Sequence, residues 1–167
     1  MKIIFIGDIV GKSGREALLI GLNDLKEKFK PDVIIANAEN AASGYGLTKK
    51  IANELFDQGI NVLTLGNHGW DQREMLSYIE ECPKIIRAIN YPKGVPGKGE
   101  FKIILKDGRS LIVIQAMLRL FMGLSLDDPF AVITNRLSSE YLGNTCNGIL
   151  IDLHGEATSE KNEIGRA

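Results

Sequence analysis

The chain alternates short apolar runs with longer stretches in which apolar residues recur every three or four positions. The short runs, rich in β-branched residues, predict buried strands. They are Lys2–Ile6, Asp32–Ala36 and Ile60–Leu65. The longer stretches predict helices that end before Pro31 and at Gly59, and a third over Asp71–Glu81. This order of strands and helices predicts an α/β fold with a parallel sheet and right-handed crossovers.

The second half of the chain has a different pattern of apolar and polar positions. Phe101–Leu105 and Leu111–Gln115 are separated by a short segment with an Asp-Gly pair, which predicts a β-hairpin. A helix with Pro129 in its first turn is predicted to run to about Leu142. Ile149–Leu153 predicts another buried strand, whereas the irregular apolar stretch from 117 to 126 predicts no element.

Length and composition narrow the class of protein. The chain has 167 residues, which predicts a single domain over 1–167. Its 20 basic and 21 acidic residues leave no positive field that would recruit nucleic acid. No apolar run approaches the ~20 residues that span a bilayer, and no signal peptide is apparent, so we expect a cytoplasmic protein without a membrane partner. Cys82 and Cys146 lack zinc-site spacing and are expected to be reduced thiols.

Polar residues follow four of the predicted strands. They are Asp8, Glu39-Asn40, Asn67-His68 and His154. Neighbouring parallel strands would bring these residues to one edge of the sheet, where ligands collect in α/β folds. Carboxylate, amide and imidazole groups together suit Mn²⁺, Fe²⁺ or Zn²⁺. Two such ions bridged by a carboxylate can clamp a phosphoryl group and activate water as a nucleophile.

Simpler interpretations remain for the same residues. Asp8 can cap a turn, Glu39 and Asn40 can belong to a solvated loop, and a histidine at a strand end is often structural. Gly7–Ser13 ends in Gly-Lys-Ser like a Walker A loop, which would make Lys12 a phosphate ligand. The first glycine lies one residue too close for that motif, so the P-loop interpretation is the weaker one.

Five segments occur in an order that is specific as a set. They are Gly7–Gly11, Asn37–Ala42, Gly66–Asp71, Asp127–Phe130 and His154–Lys161. Together they resemble the YmdB family of bacterial calcineurin-like metallophosphoesterases, hydrolases described as phosphodiesterases on cyclic nucleotides. The resemblance runs from Met1 to about Lys161. It implies a calcineurin-like α/β fold, layered α/β/β/α, with a largely parallel first sheet and its C-terminal part missing.

The resemblance also implies a centre of two divalent metal ions, iron or manganese. Asp8 and Asn40 would hold the first ion. Asn67 and His154 would hold the second, and Glu39 would bridge both. Residues that bind the substrate are not assigned.

His68 would be a general acid and not a metal ligand in this family. The implied reaction is hydrolysis of a cyclic nucleotide or a related small phosphodiester by metal-activated hydroxide, with His68 protonating the leaving oxygen. Whether the protein forms a homo-oligomer stays open. The apolar residues between Met117 and Leu126 would mark a subunit contact if they are exposed, and would be an ordinary core segment if they are buried.

The chain departs from the family pattern in one respect. The family has a later Gly-Thr-His-Thr-His segment that gives one histidine to each metal, whereas this chain contains only His68 and His154. The chain is then either a fragment or a natural truncation with an impaired second site, and we expect low activity from the 167 residues alone. The alternative is a non-catalytic module, derived from a truncated phosphoesterase fold, that binds a nucleotide or a protein partner.

Overall fold

The computed structural model describes residues 1–166. These residues form seven strands and five helices. The strands are β1 (Ile3–Ile6), β2 (Val33–Asn37), β3 (Val62–Thr64), β4 (Ile85–Ile86), β5 (Glu100–Ile104), β6 (Ser110–Met117) and β7 (Gly148–His154). The helices are α1 (Gly11–Phe29), α2 (Lys49–Asp57), α3 (Met75–Glu81), α4 (Pro129–Leu137) and α5 (Thr158–Ile164). The chain divides into two compact units, Met1–Ile85 and Ile86–Ala167, and the single domain over 1–167 stays a prediction.

The first sheet has the order β1-β2-β3-β4. β1, β2 and β3 run parallel, with Ile4 opposite Ile34 and Ala36 opposite Leu63. Each crossover between these strands contains a helix, as parallel neighbours require. The predicted α/β fold with a parallel first sheet is therefore confirmed.

β1 is less buried than the sequence predicted. Its residues alternate between exposed and half-buried, and Ile3 and Phe5 are exposed. β2, which has a neighbour on each side, is buried at all five positions. Because successive side chains of a strand point to opposite faces, the alternation means that one face of β1 is open, which a β-branched run does not reveal.

The ends of the helices in the first unit follow local chemistry. The Thr48 hydroxyl accepts a hydrogen bond from the Ile51 amide at 3.2 Å and caps α2, as predicted. Gly59, with φ of +85°, follows the end of that helix. α3 begins at Met75 and not at Asp71, because residues 67–74 form turns and a bend. Those turns carry part of the candidate site.

The second sheet has the order β5-β6-β7. β5 and β6 form the predicted antiparallel hairpin, and β7 runs parallel to β6. β7 is half-buried along its whole length, whereas a buried strand was predicted. Among the described strands β7 pairs with β6 alone, so one of its edges lacks a neighbouring strand.

The stretch without a predicted element begins on the last residue of β6, is irregular from 118 to 126, and is anchored by Asn90. The Asn90 amide nitrogen donates to the Met117 carbonyl at 2.8 Å and to the Asp127 carbonyl at 3.0 Å. Its oxygen accepts from the Met117 amide at 3.0 Å. Met117 and Leu126 are buried, whereas Phe121 is exposed. The stretch is therefore partly core and partly surface.

α4 begins as predicted and ends early. The Asp128 carboxylate accepts from the Phe130 amide at 2.9 Å, and Pro129 occupies the first turn. The helix ends at Leu137 and does not reach Leu142. Cys82 and Cys146 are free thiols. None of the helices within residues 1–166 combines the length and the apolar character needed to cross a membrane.

Candidate functional site

Three strand ends of the first sheet bring predicted site residues together. Asp8 follows β1, Glu39-Asn40 follows β2 and Asn67-His68 follows β3. Because the three strands are parallel, these residues lie at the carboxyl edge of the sheet. Backbone hydrogen bonds join the ends, from the Ile9 amide to the Asn37 carbonyl at 3.1 Å and from the Ala38 amide to the Thr64 carbonyl at 3.0 Å.

Asp8 and Asn40 are in direct contact. The Asn40 amide nitrogen donates to both Asp8 carboxylate oxygens at 3.0 Å. The backbone carbonyl of Asn40 accepts hydrogen bonds from the backbone amides of Gly11 and Gly44, each at 2.9 Å. The backbone of Asn40 is therefore held from two sides while its side chain faces Asp8.

Glu39 reaches from the end of β2 to the turn after β3. Its side chain is buried, with 1% of the residue exposed. Its Oε2 atom accepts a hydrogen bond from the His68 amide at 3.2 Å. A Cβ atom on Gly66 would lie 2.2 Å from the same oxygen, so only glycine leaves room for this carboxylate. Glu39 thus connects two of the three strand ends.

His68 is oriented by Asp71, a residue to which the sequence analysis assigned no role. His68 Nδ1 lies 2.6 Å from Asp71 Oδ2. An ionised carboxylate can only accept, so Nδ1 donates to Asp71, and Nε2, which carries a second proton when the ring is the imidazolium, is left for a substrate. The Asp71 amide also donates to the His68 carbonyl at 3.2 Å, which closes the turn between them. The sequence signal for this pair is the three-residue spacing of His68 and Asp71.

His154 lies in the second unit. It ends β7 opposite Met117, and its carbonyl accepts from the Leu118 amide at 2.8 Å. The prediction that all four strand ends share one sheet edge is wrong for His154, because β7 pairs with β6 in the second sheet. The role of His154 as a metal ligand stays a prediction.

The candidate metal ligands in the first unit are oxygen atoms of two carboxylates and two amides. They belong to Asp8, Glu39, Asn40 and Asn67. Residues 1–166 contain no ready-made cluster of three His, Cys, Asp or Glu side chains for a metal. Two of the four candidate ligands are asparagine amides, and asparagine is not counted in a cluster of His, Cys, Asp and Glu. A half-turn of the Asn40 amide would present its oxygen beside Asp8, and an all-oxygen set suits a hard divalent cation. The residues therefore fit a divalent metal.

The segment around Gly11 is not a phosphate-binding loop. The amides of Gly11 and Gly14 donate to the carbonyls of Asn40 and Val10, so neither is directed at an anion. Lys12 instead lies 3.5 Å from Glu16 on the exposed side of α1. These contacts argue against the P-loop interpretation.

Comparison with known proteins decides the family. A family model described as "YmdB-like protein" matches residues 4–167. The chain belongs to the YmdB-like family. The resemblance of its motifs to the YmdB family is thereby confirmed.

Three relatives of this YmdB-like chain are informative. A 2',3'-cyclic-nucleotide 2'-phosphodiesterase from Bacillus subtilis is 43% identical over 165 residues, which are 99% of this chain and 61% of that protein. The crystal structure of a hypothetical protein from Thermus thermophilus matches with a TM-score of 0.89 and 37% identity, over 99% of this chain and 62% of that one. The crystal structure of a Mycoplasma pneumoniae phosphatase matches with a TM-score of 0.88 and 29% identity, over 99% and 59%.

These matches support the fold and the class of enzyme. The chain superimposes on two solved structures over almost its whole length, including that of a phosphatase. The Bacillus subtilis relative is a phosphodiesterase by name, which agrees with the predicted class of hydrolase. The YmdB-like chain spans 61% of the length of that relative.

Proposed function

We propose that this protein hydrolyses cyclic nucleotides or closely related small phosphodiesters with the help of divalent metal ions. The observation that carries the proposal is the placement of His68. It is held by Asp71 and Glu39 at the sheet edge that also presents Asp8 and Asn40. The Bacillus subtilis relative, named as a phosphodiesterase of 2',3'-cyclic nucleotides, supports this substrate class.

Asp8, Glu39, Asn40 and Asn67 would hold the metal through their oxygen atoms. When bound, a divalent cation of the manganese or iron type supplies Lewis acidity toward the phosphoryl group and activates water. Glu39 is suited to a shared position because its buried carboxylate reaches from one strand end to the next.

His68 supplies the proton that the leaving group needs. Water attacks phosphorus, the bond from phosphorus to one ribose oxygen breaks, and the imidazolium form of His68, protonated on both nitrogens, gives the Nε2 proton to that oxygen. The proton that the attacking water loses returns to the ring through solvent. Asp71 keeps the ring turned so that Nε2 and not Nδ1 faces the substrate. The product is a nucleoside monophosphate, formed with the consumption of one water.

The direct test is metal-dependent hydrolysis of adenosine 2',3'-cyclic phosphate by the 167-residue chain. We expect slow formation of adenosine monophosphate with Mn²⁺, its loss with EDTA and its recovery with excess Mn²⁺. Asp8→Asn should abolish this turnover, because it removes a charged ligand. The matched control is Asp24→Asn, which changes an exposed aspartate on α1 in the same unit.

Two other results would redirect the proposal. Hydrolysis by Asp8→Asn at the unchanged rate would remove the metal site from the reaction. Nucleotide binding that is insensitive to EDTA, with no hydrolysis by the wild-type chain, would indicate the non-catalytic binding module.

Asp71 has a predicted effect of its own on turnover. Asp71→Asn is expected to lower kcat roughly 10- to 100-fold, in the range measured when residues that orient a site are lost. Asparagine carries no charge, so it no longer stabilises the imidazolium that holds the Nε2 proton of His68. Steady-state kinetics should show KM within about twofold, and thermal unfolding should be unchanged because Asp71 is exposed. A change in KM alone would contradict an orienting role.

A further inference from the structure

Tyr45 is held on a rigid turn beside His68. It lies between Gly44 and Gly46, whose φ values are +89° and +79°. Its carbonyl accepts from the Gln72 side-chain amide at 2.7 Å. A Cβ atom on Gly46 would meet Gln72 atoms at 2.9 and 3.1 Å and the His68 carbonyl at 3.1 Å. The turn therefore packs its backbone closely against the turn that carries His68.

The aromatic ring of Tyr45 faces solvent despite this fixed backbone. The residue is 62% exposed, and its ring meets the His68 ring edge to face, with 5.5 Å between centroids and 86° between planes. An exposed aromatic side chain contributes little packing energy to the fold. The stability of the protein therefore does not explain why a fixed turn carries Tyr45. The ring instead forms an apolar wall next to the group assigned as the proton donor.

We propose that Tyr45 stacks on the nucleobase of the substrate and selects cyclic nucleotides over cyclic diesters without a base. This inference rests on the proposed function. His68 protonates a ribose oxygen in that reaction, and the base is attached to the same ribose. A ring 5.5 Å from the imidazole is within reach of that base. Stacking on tyrosine tolerates any base, because every base presents a π-face.

The test compares two substrates with the same five-membered cyclic diester. Adenosine 2',3'-cyclic phosphate carries a base, and glycerol 1,2-cyclic phosphate does not. Tyr45→Leu is expected to raise KM for the adenosine substrate about tenfold, the loss typical for one stacked base. It should leave kcat/KM for the glycerol substrate within about twofold. Tyr45→Phe, which keeps the ring, should match the wild type on both.

Tyr141→Leu is the matched control, because Tyr141 is 63% exposed and lies in the other unit. We expect it to leave both substrates unaffected. Equal losses on both substrates in Tyr45→Leu would show that the ring acts on His68, and no loss on either would exclude contact with the base. Each of these results overturns the inference while the proposed function stands.

A binding measurement separates the inference from catalysis. Calorimetry of the wild-type chain should show tighter binding of adenosine monophosphate than of ribose 5-phosphate, and Tyr45→Leu should remove this difference. If the wild type hydrolyses neither cyclic diester but shows this pattern, the proposed function fails and the role of Tyr45 stands. If both ligands bind alike in the wild type, the inference is overturned.

Discussion

Replacing His68 by alanine is expected to lower the hydrolysis of adenosine 2',3'-cyclic phosphate roughly 100- to 10,000-fold, the usual range for losing a general acid. The ribose oxygen is a poor leaving group, so in the proposed reaction its departure depends on the proton from Nε2. Asp71 holds Nδ1 at 2.6 Å, which leaves this one nitrogen for the reaction. Single-turnover assays with the chain in excess over substrate measure the effect.

A second substrate separates the roles that a histidine could have here. Bis-p-nitrophenyl phosphate releases p-nitrophenolate, which leaves without a proton, so the loss in His68→Ala should be small with this substrate. Manganese content, measured by mass spectrometry after dialysis, should match the wild type. Loss of the metal would make His68 a ligand, and equal losses on both substrates would exclude it as an acid.

Local features of the sequence predicted much of the first unit. Thr48 caps α2 as predicted, because a hydroxyl just before an amphipathic stretch can accept a hydrogen bond from a free amide at the start of the helix. Asp8, Glu39 and His68 were predicted to meet because the ends of neighbouring parallel strands share an edge. Their place on one sheet edge followed from topology alone.

Features that depend on pairing between distant strands were not predictable in this way. An apolar run does not show whether one or both faces of its strand are covered, and β1 proved to be exposed on one face. The run before His154 looks like the others, yet it pairs with β6 in the second sheet. The Asp71 contact was missed because a helix was predicted to begin there, whereas α3 begins at Met75.

Gly66→Ala is expected to damage the site through a single methyl group. The new Cβ would lie 2.2 to 2.6 Å from the carboxylate atoms of Glu39, a buried side chain that would have to shift. The φ of Gly66 is not in the left-handed region, so the effect is steric and not a backbone preference. Overpacking of this kind costs about 1–3 kcal/mol in the free energy of unfolding. Urea denaturation measures that loss, and Mn²⁺ titration should show weaker binding because Glu39 is displaced.

The double variant Gly66→Ala/Glu39→Ala distinguishes this clash from general damage to the turn. Truncating Glu39 removes the atoms that the methyl group would meet, so the two stability changes should not add, as expected for residues in contact. Metal affinity should stay low in the double variant, because the carboxylate proposed to bridge the metal ions is gone. Gly21→Ala is the control, since no atom lies within 4 Å of its Cβ and alanine favours the α1 helix. Additive losses in the double variant would place the cost of the methyl group somewhere other than Glu39.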